Sequence, residues 1–256
     1  MIDLSKFNPT NREYRKNEIL NISKLSFDKF ENAIDDVDLA LKDQLDSLRK
    51  KRTELEKNEK SYFENIEGIP ELKSHIVDEL MQLDYDIPLT SEHLTAISEM
   101  KIIYVFKSFE ITMKALIKTA YPEINTKDFY KWENMVAFFK SKGIISKFDG
   151  YIELTELVKV NNRIKHDNTI NDDIKKIKEF SNASEFDWTN LDFFYKRIKP
   201  KVKSFSLHIG QLLIKDLFIF DEVRISKVAD DYMKRMDSVT LNQFIEKLQN
   251  KRTFKN

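Results

Sequence analysis

The chain has 256 residues, of which 41% are hydrophobic and 34% charged, and its 43 basic and 43 acidic side chains cancel to a formal net charge of zero. That balance excludes a global attraction to nucleic acid or to an anionic membrane, so either partner would need a local patch. The absence of cysteine excludes disulfides, thiolate zinc sites and a cysteine nucleophile.

Only 4 glycines and 5 prolines are present, too few turn residues for a sheet-rich fold, so the composition predicts an all-α protein with short connections. The opening stretch, MIDLSKFNPTNREYRK, is polar, lacks an apolar signal core and reads as irregular to about residue 20. From Ser26 to about Glu67 a long helix is expected, because Phe27, Phe30, Ile34, Val37, Leu41, Leu48 and Leu55 keep heptad spacing. The intermediate positions degrade to Gln44, Lys51 and Asn58, so the second half looks like a solvated stalk. Such a helix would span roughly 60 Å at 1.5 Å per residue. It reads as one arm of an antiparallel bundle or of a hairpin with Pro70–Tyr85, with self-association through the arm as the alternative.

Gly68 and Pro70 break this helix. A short helix from Glu71 to Leu83 follows, and DIPLTSEH reads as a boundary with Thr90 or Ser91 as the next cap. A strongly apolar helix then runs to about Thr119 and is expected to be central. Asp128 opens a helix over Phe129–Lys142, closed by Gly143. The next helix, within DGYIELTELVKVNNRIKHD, ends at Asp167-Asn168. Residues 171–186 are polar and loop-like. A long helix from Leu191 to Phe220 is interrupted or kinked at Pro200. The tail carries one more amphipathic helix ending near Leu248. The resulting division is an arm and hairpin over 1–89, a helical bundle over 90–220 and a tail over 221–256.

No GxGxxG, P-loop or GxSxG motif occurs, and the four histidines show no metal-ligand spacing. Neither a cofactor nor a metal is expected. No apolar run is long enough to span a bilayer, so the expectation is a cytoplasmic protein without membrane contact.

The chemistry concentrates in VNNRIKHD, Val160–Asp167. At about 100° per residue, Leu154, Leu157, Val158, Val160 and Ile164 share one side of the helix. Lys159, Asn162, Arg163 and His166 share the other, at i, i+3, i+4 and i+7. Asn161 falls on the apolar side and needs a buried partner. Such a stripe suits RNA cleavage. A histidine, with an ordinary pKa near 6.5, can take the 2′-hydroxyl proton or protonate the leaving oxygen. The cations can stabilise the charge that builds on phosphorus. The same pattern also suits a solvated face whose histidine sits favourably at the helix C-terminus.

A second feature points towards RNA. Between Phe193 and Ile214 there is no acidic residue, while Lys196, Arg197, Lys199, Lys201, Lys203 and His208 are concentrated there, a local basic patch in a neutral chain.

NNRIKHD, behind the apolar helix with KSFEITMKALIK and the segment YKWENMVAFFKSKGI, resembles the HEPN superfamily (higher eukaryotes and prokaryotes nucleotide-binding), in particular its toxin and phage-defence members. The resemblance covers roughly residues 90–220 and not the arm. It implies an all-α bundle of four or five helices, commonly a symmetric dimer. In active members an arginine and, a few residues on, a histidine form a metal-independent RNase site. His166 matches that histidine and Asn162 the polar position four before it. The arginine position five before it holds Asn161, so Arg163 or Lys159 would have to supply the cation. A tyrosine that some members carry two residues after the histidine is Asn168 here. The expectation is an endoribonuclease acting as a toxin or abortive-infection effector on RNA. The alternative is a non-catalytic dimeric scaffold that meets a partner or antitoxin through its N-terminal arm.

Overall fold

A computed structural model describes residues 9–24, 28–65, 70–144 and 151–253. The protein is all-α, and no strand occurs among the described residues. Phe27 and Gly68, which entered the expectations above, lie outside them.

The core is built on two long helices whose apolar residues recur every three or four positions. In α3, Pro70–Ala120, the buried apolar side chains include Leu83, Leu94, Ile102, Val105, Phe109, Met113, Leu116 and Ile117. In α7, Trp188–Phe218, they include Leu191, Phe194, Ile198, Val202, Phe205, Ile209 and Leu213. Phe109 meets Phe205 edge-on with ring centroids 6.0 Å apart, which ties the two helices together. Around this pair, α1 (Pro9–Ser23), α2 (Asp28–Asn65) and α5 (Tyr151–His166) pack against α3. The short α6 (Asp172–Lys175) lies on α5.

Several expectations change. Residues 1–8 of the stretch expected to be irregular lie outside the described residues, but from Pro9 on the chain is helical: α1 buries Ile19 and Ser23 completely. Its seat is Gly210 of α7. A Cβ at Gly210 would lie 2.6 Å from Ser23 Oγ and closer still to its Cβ. We therefore expect Gly210→Ala to overpack this contact and cost about 1–3 kcal/mol. Urea unfolding of the full chain would measure it, and adding Ser23→Gly should recover most of the loss. An unchanged midpoint would mean that α1 yields freely.

The expected boundary at DIPLTSEH does not exist. Pro88 lies inside the continuous α3. A proline there removes one hydrogen bond, to the carbonyl of Asp84. Pro88 and Asp84 are both exposed, so water can serve that carbonyl, while Leu83, Thr90 and Leu94 stay buried on either side. Packing outweighs the local penalty. Pro200 is likewise exposed within an uninterrupted α7.

The helix expected from Phe129 splits. A 3-10 turn over Thr126–Tyr130, capped by Asn125, precedes α4, Trp132–Ser141. Gly143 follows with φ +68°, the left-handed value expected of its capping position. Residues 171–186 are not a plain loop. They form α6 and a 3-10 turn, Lys178–Phe180, and they bury Ile174, Ile177, Phe180 and Phe186. The tail holds two helices, α8 (Glu222–Arg235) and α9 (Ser238–Thr253).

In α2 the buried seam runs through Glu31, Asp38 and Leu45. Val37 is exposed, and so is Gln44 beside the buried Leu45. The stalk half pairs with α3 through Lys51–Glu79 at 3.1 Å and Arg52–Asp84 at 2.9 Å, so α2 and α3 form a hairpin. By internal contacts the chain divides into two compact units, Met1–Leu213 and Ile214–Asn256, and α3 crosses residues 89 and 90 within the first.

Candidate functional site

The site is built on α5. Leu154, Leu157, Val160 and Asn161 are its buried face, and Lys165 lies 5.5 Å from the Phe106 ring of α3. The helix ends where Asn168 turns left-handed, φ +47°. There the N–H groups of Asp167 and Asn168 both donate to the Arg163 carbonyl, at 3.1 and 2.8 Å. Asparagine tolerates this conformation because its short polar side chain can bond locally. The side chain of Asn168 also bonds Glu99 of α3, whose carboxyl burial pushes above its ordinary value. After the turn, Asn171 caps α6 by accepting from Ile174 N at 3.1 Å. This cap turns the chain back along α5.

The result is a cleft of about 310 Å3 lined by Lys159, Asn162, Arg163, His166, Asp167, Asn171, Asp173 and Ile174. The structure thus brings together all four residues of the predicted stripe. His166, Lys159 and Asn162 are exposed and Arg163 is half-buried. A second cleft of about 320 Å3 continues along α5 past Tyr151, Thr155 and Glu156, and shares Lys159 and Asp173 with the first.

The charges of the first cleft are mixed. Arg163 Nη1 donates to Asp167 Oδ2 one turn on. Asp173 is held below its ordinary value, first by the hydrogen bond and charge of Lys176, then by the charges of Lys159 and Arg163. The two cations, Lys159 and Arg163, and the two carboxylates, Asp167 and Asp173, therefore cancel. Asn162 is held from behind, where the buried Asn161 donates Nδ2 to its Oδ1 at 3.2 Å. Asn161 is 1% exposed, does not line the cleft, and its Oδ1 has no hydrogen-bond partner. The buried partner expected for it is thus only half supplied.

The predicted basic patch is largely paired. Lys196 meets Asp192 at 2.7 Å, and Lys199 meets Glu31. Arg197 is a clamp. It donates to both carboxylate oxygens of Glu179, at 2.7 and 2.8 Å, and pairs with Glu156 of α5 at 2.8 Å. The Glu179 bond, with Glu156 behind it, raises the guanidinium further above its already high value. Lys201 and Lys203 also take part in interactions, Lys203 acting through its charge on Glu31. The acids that compensate this stretch of α7 come mostly from other elements, which is why its own sequence looks uniformly basic.

The sequence reading missed a buried ion cluster where α2, α3 and α7 meet. Lys101 reaches Asp38 at 2.9 Å and Asp35 at 3.4 Å, and Lys42 reaches Asp38 at 2.8 Å and Asp192 at 3.6 Å. Tyr195 donates to Glu31 at 2.7 Å. Burial raises Glu31, but the hydrogen bonds from Lys199 and Tyr195 outweigh it and leave the carboxyl below its ordinary range. The available signal was Lys101 inside the most apolar helix, whereas Asp38 stands one position off the expected heptad seam, so its burial left no mark in the pattern.

Among the described residues no group of histidine, aspartate or glutamate side chains could hold a metal ion, and no helix is long and apolar enough to cross a membrane. No protein-family profile, curated protein or solved structure matches the chain.

Proposed function

We propose that the chain is a HEPN-like, metal-independent endoribonuclease that serves as a toxin or antiphage abortive-infection effector, with the α5 cleft as its phosphodiester site. The observation that carries this reading is the convergence of Lys159, Asn162, Arg163 and His166 on one cleft. His166 takes the proton of a ribose 2′-hydroxyl as that oxygen attacks phosphorus, or returns a proton to the departing 5′-oxygen. Arg163 and Lys159 stabilise the added negative charge on the phosphorane. Asn162, fixed by Asn161, orients a phosphate oxygen. The products are a 2′,3′-cyclic phosphate and a 5′-hydroxyl. In a dimer of the HEPN type, two such sets would face one substrate.

The test is incubation of the full chain with total RNA in excess chelator, followed by mapping of the ends. Cleavage with cyclic-phosphate ends is expected, and intact RNA at high protein concentration would overturn the proposal. A second reading, a non-catalytic scaffold that binds a protein partner, is favoured by two observations. Asn161 occupies the position where the family carries arginine, and Arg163 is engaged by Asp167. That reading expects no cleavage under any condition.

A further inference from the structure

The second compact unit, Ile214–Asn256, has an unusual surface. From Ile214 to Asn250 none of its side chains is buried. A unit of this size seldom holds itself together without oligomerisation, a metal or disulfides. The chain has no cysteine.

The apolar residues of this unit are nonetheless ordered into stripes. In α8, Ile225, Val228, Ala229 and Tyr232 recur at i, i+3, i+4 and i+7. In α9, Leu241, Phe244, Ile245 and Leu248 do the same. Tyr232 stacks on Phe244 with centroids 5.0 Å apart, which joins the two stripes. Within α8 the stripe residues are partly covered, with Ile225 at 50%, Val228 at 39% and Tyr232 at 40% exposure. The off-stripe Val223 and Met233 stand at 79% and 62%. Half-covered stripes on two joined helices are what one layer of a four-helix bundle presents before the second layer is added.

The charges of α8 say which second layer fits. Its first turn carries Glu222 beside the capping Asp221, and its last turn carries Lys234 and Arg235. An identical helix laid antiparallel places acid against base at both ends. If a two-fold axis passes between Val228 and Ala229, Ile225 of one copy meets Tyr232 of the other, and Glu222 meets Arg235. A two-fold interface must be self-complementary in this way. The small Ala229 lies at the crossing, where two helices approach most closely. Over the whole hairpin the charges nearly balance, which fits a second copy better than a polyanion.

We infer that α8 and α9 are a dimerisation hairpin, completed into an antiparallel four-helix bundle by the same hairpin of a second copy of this chain. This inference does not depend on the proposed RNase activity.

The test is the mass of the full chain in solution, by sedimentation or light scattering, with two kinds of variant. Wild type is expected at twice the chain mass. Val228→Glu places an unpaired charge in the seam and is expected to weaken the dimer by about 100-fold or more. Its helical circular dichroism should not change, because Val228 is not part of any buried core. Since the chain has no cysteine, Ala229→Cys should form an intermolecular disulfide under mild oxidation, while Lys227→Cys on the opposite face of α8 should not. A monomeric wild type overturns the inference. So does a dimer that Val228→Glu leaves intact, and so does equal cross-linking through both cysteines.

Discussion

Asp38→Ala is expected to be the most damaging single change to the fold, lowering stability by about 3–5 kcal/mol, the usual cost of breaking a buried ion pair from one side. The Lys101 side chain is 6% exposed and that of Asp38 11%. Without Asp38 the ammonium keeps the ion pair to Asp35, at 3.4 Å and itself 62% exposed, and the Tyr195 ring 5.7 Å away. The double variant Asp38→Leu with Lys101→Met removes both charges at similar volume and should recover most of the loss. Urea unfolding of the three proteins would show this. Equal, additive losses would mean that the pair is not coupled. The cluster also sets an acid limit. Burial raises the Asp38 carboxyl, but the hydrogen bonds and charges of Lys42 and Lys101 outweigh it and hold it below its ordinary value. A carboxyl lowered in the folded state stabilises fully above its unfolded pKa, near 4, and the contribution fades as pH falls through the lower folded value. Acid should therefore loosen α2 from α3 and α7, and Asp38→Asn should flatten that part of the pH profile.

The same cluster shows why some of this molecule could be read from its sequence and some could not. Helix α5 carries its own pattern: the buried Leu154, Leu157 and Val160 and the exposed Lys159, Asn162 and His166 are separated by rotation about one axis, so period alone sorts them. The candidate cleft is legible to that extent. Its remaining walls, Asp167, Asn171 and Asp173, depend on a left-handed turn at Asn168 and a cap at Asn171. Their effect on Arg163 and on the charge of the site was not legible. Partners far apart in the chain leave no local trace. Glu31, which meets Lys199, is separated by 164 residues from the neighbouring Tyr195 that it also binds, and Glu179 lies 18 residues before Arg197, so these cations looked free. Lys196 is different: its partner Asp192 lies one turn before it, just outside the acid-free window that opens at Phe193. Pro88 and Pro200 misled for the opposite reason. They are strong local signals, but each lies on a solvated side of a helix whose other sides are held by Leu94 or by Ile198 and Val202. Local propensity states a cost of a few kcal/mol, and long-range burial exceeds it. α1 escaped notice because, among its described residues, Ile19 is the one apolar side chain that is fully buried, beside the small Ser23, too little to set a visible period.

His166→Ala is expected to lower RNA cleavage by about 10²- to 10⁴-fold, the range for loss of a positioned acid or base. The imidazole is exposed on the cleft wall, and it contributes nothing to the core, so the variant should unfold at the same urea concentration as wild type. That separates a chemical role from a structural one. The cations then divide by position. Arg163→Ala should cost about 10²- to 10³-fold if its guanidinium faces the phosphorane, whereas Lys159, exposed and shared between both clefts, should matter more for binding than for the chemical step. The two are told apart by whether saturating RNA restores the rate: it should for Lys159→Ala and should not for Arg163→Ala. Asp167 supplies the sharpest contrast. In the ground state it holds Arg163 by a charged hydrogen bond, and Arg163 must turn from it to meet a phosphate. Asp167→Asn should therefore raise cleavage and tighten RNA binding, since it removes one negative charge from the lining and frees the cation. If Asp167→Asn were instead as inactive as Arg163→Ala, the carboxylate would be holding the arginine in its working position. If Arg163→Ala and Lys159→Ala both cleaved like wild type while His166→Ala did not, the charge on phosphorus would be met by groups outside this cleft, and a shared site assembled from two copies would become the arrangement to test.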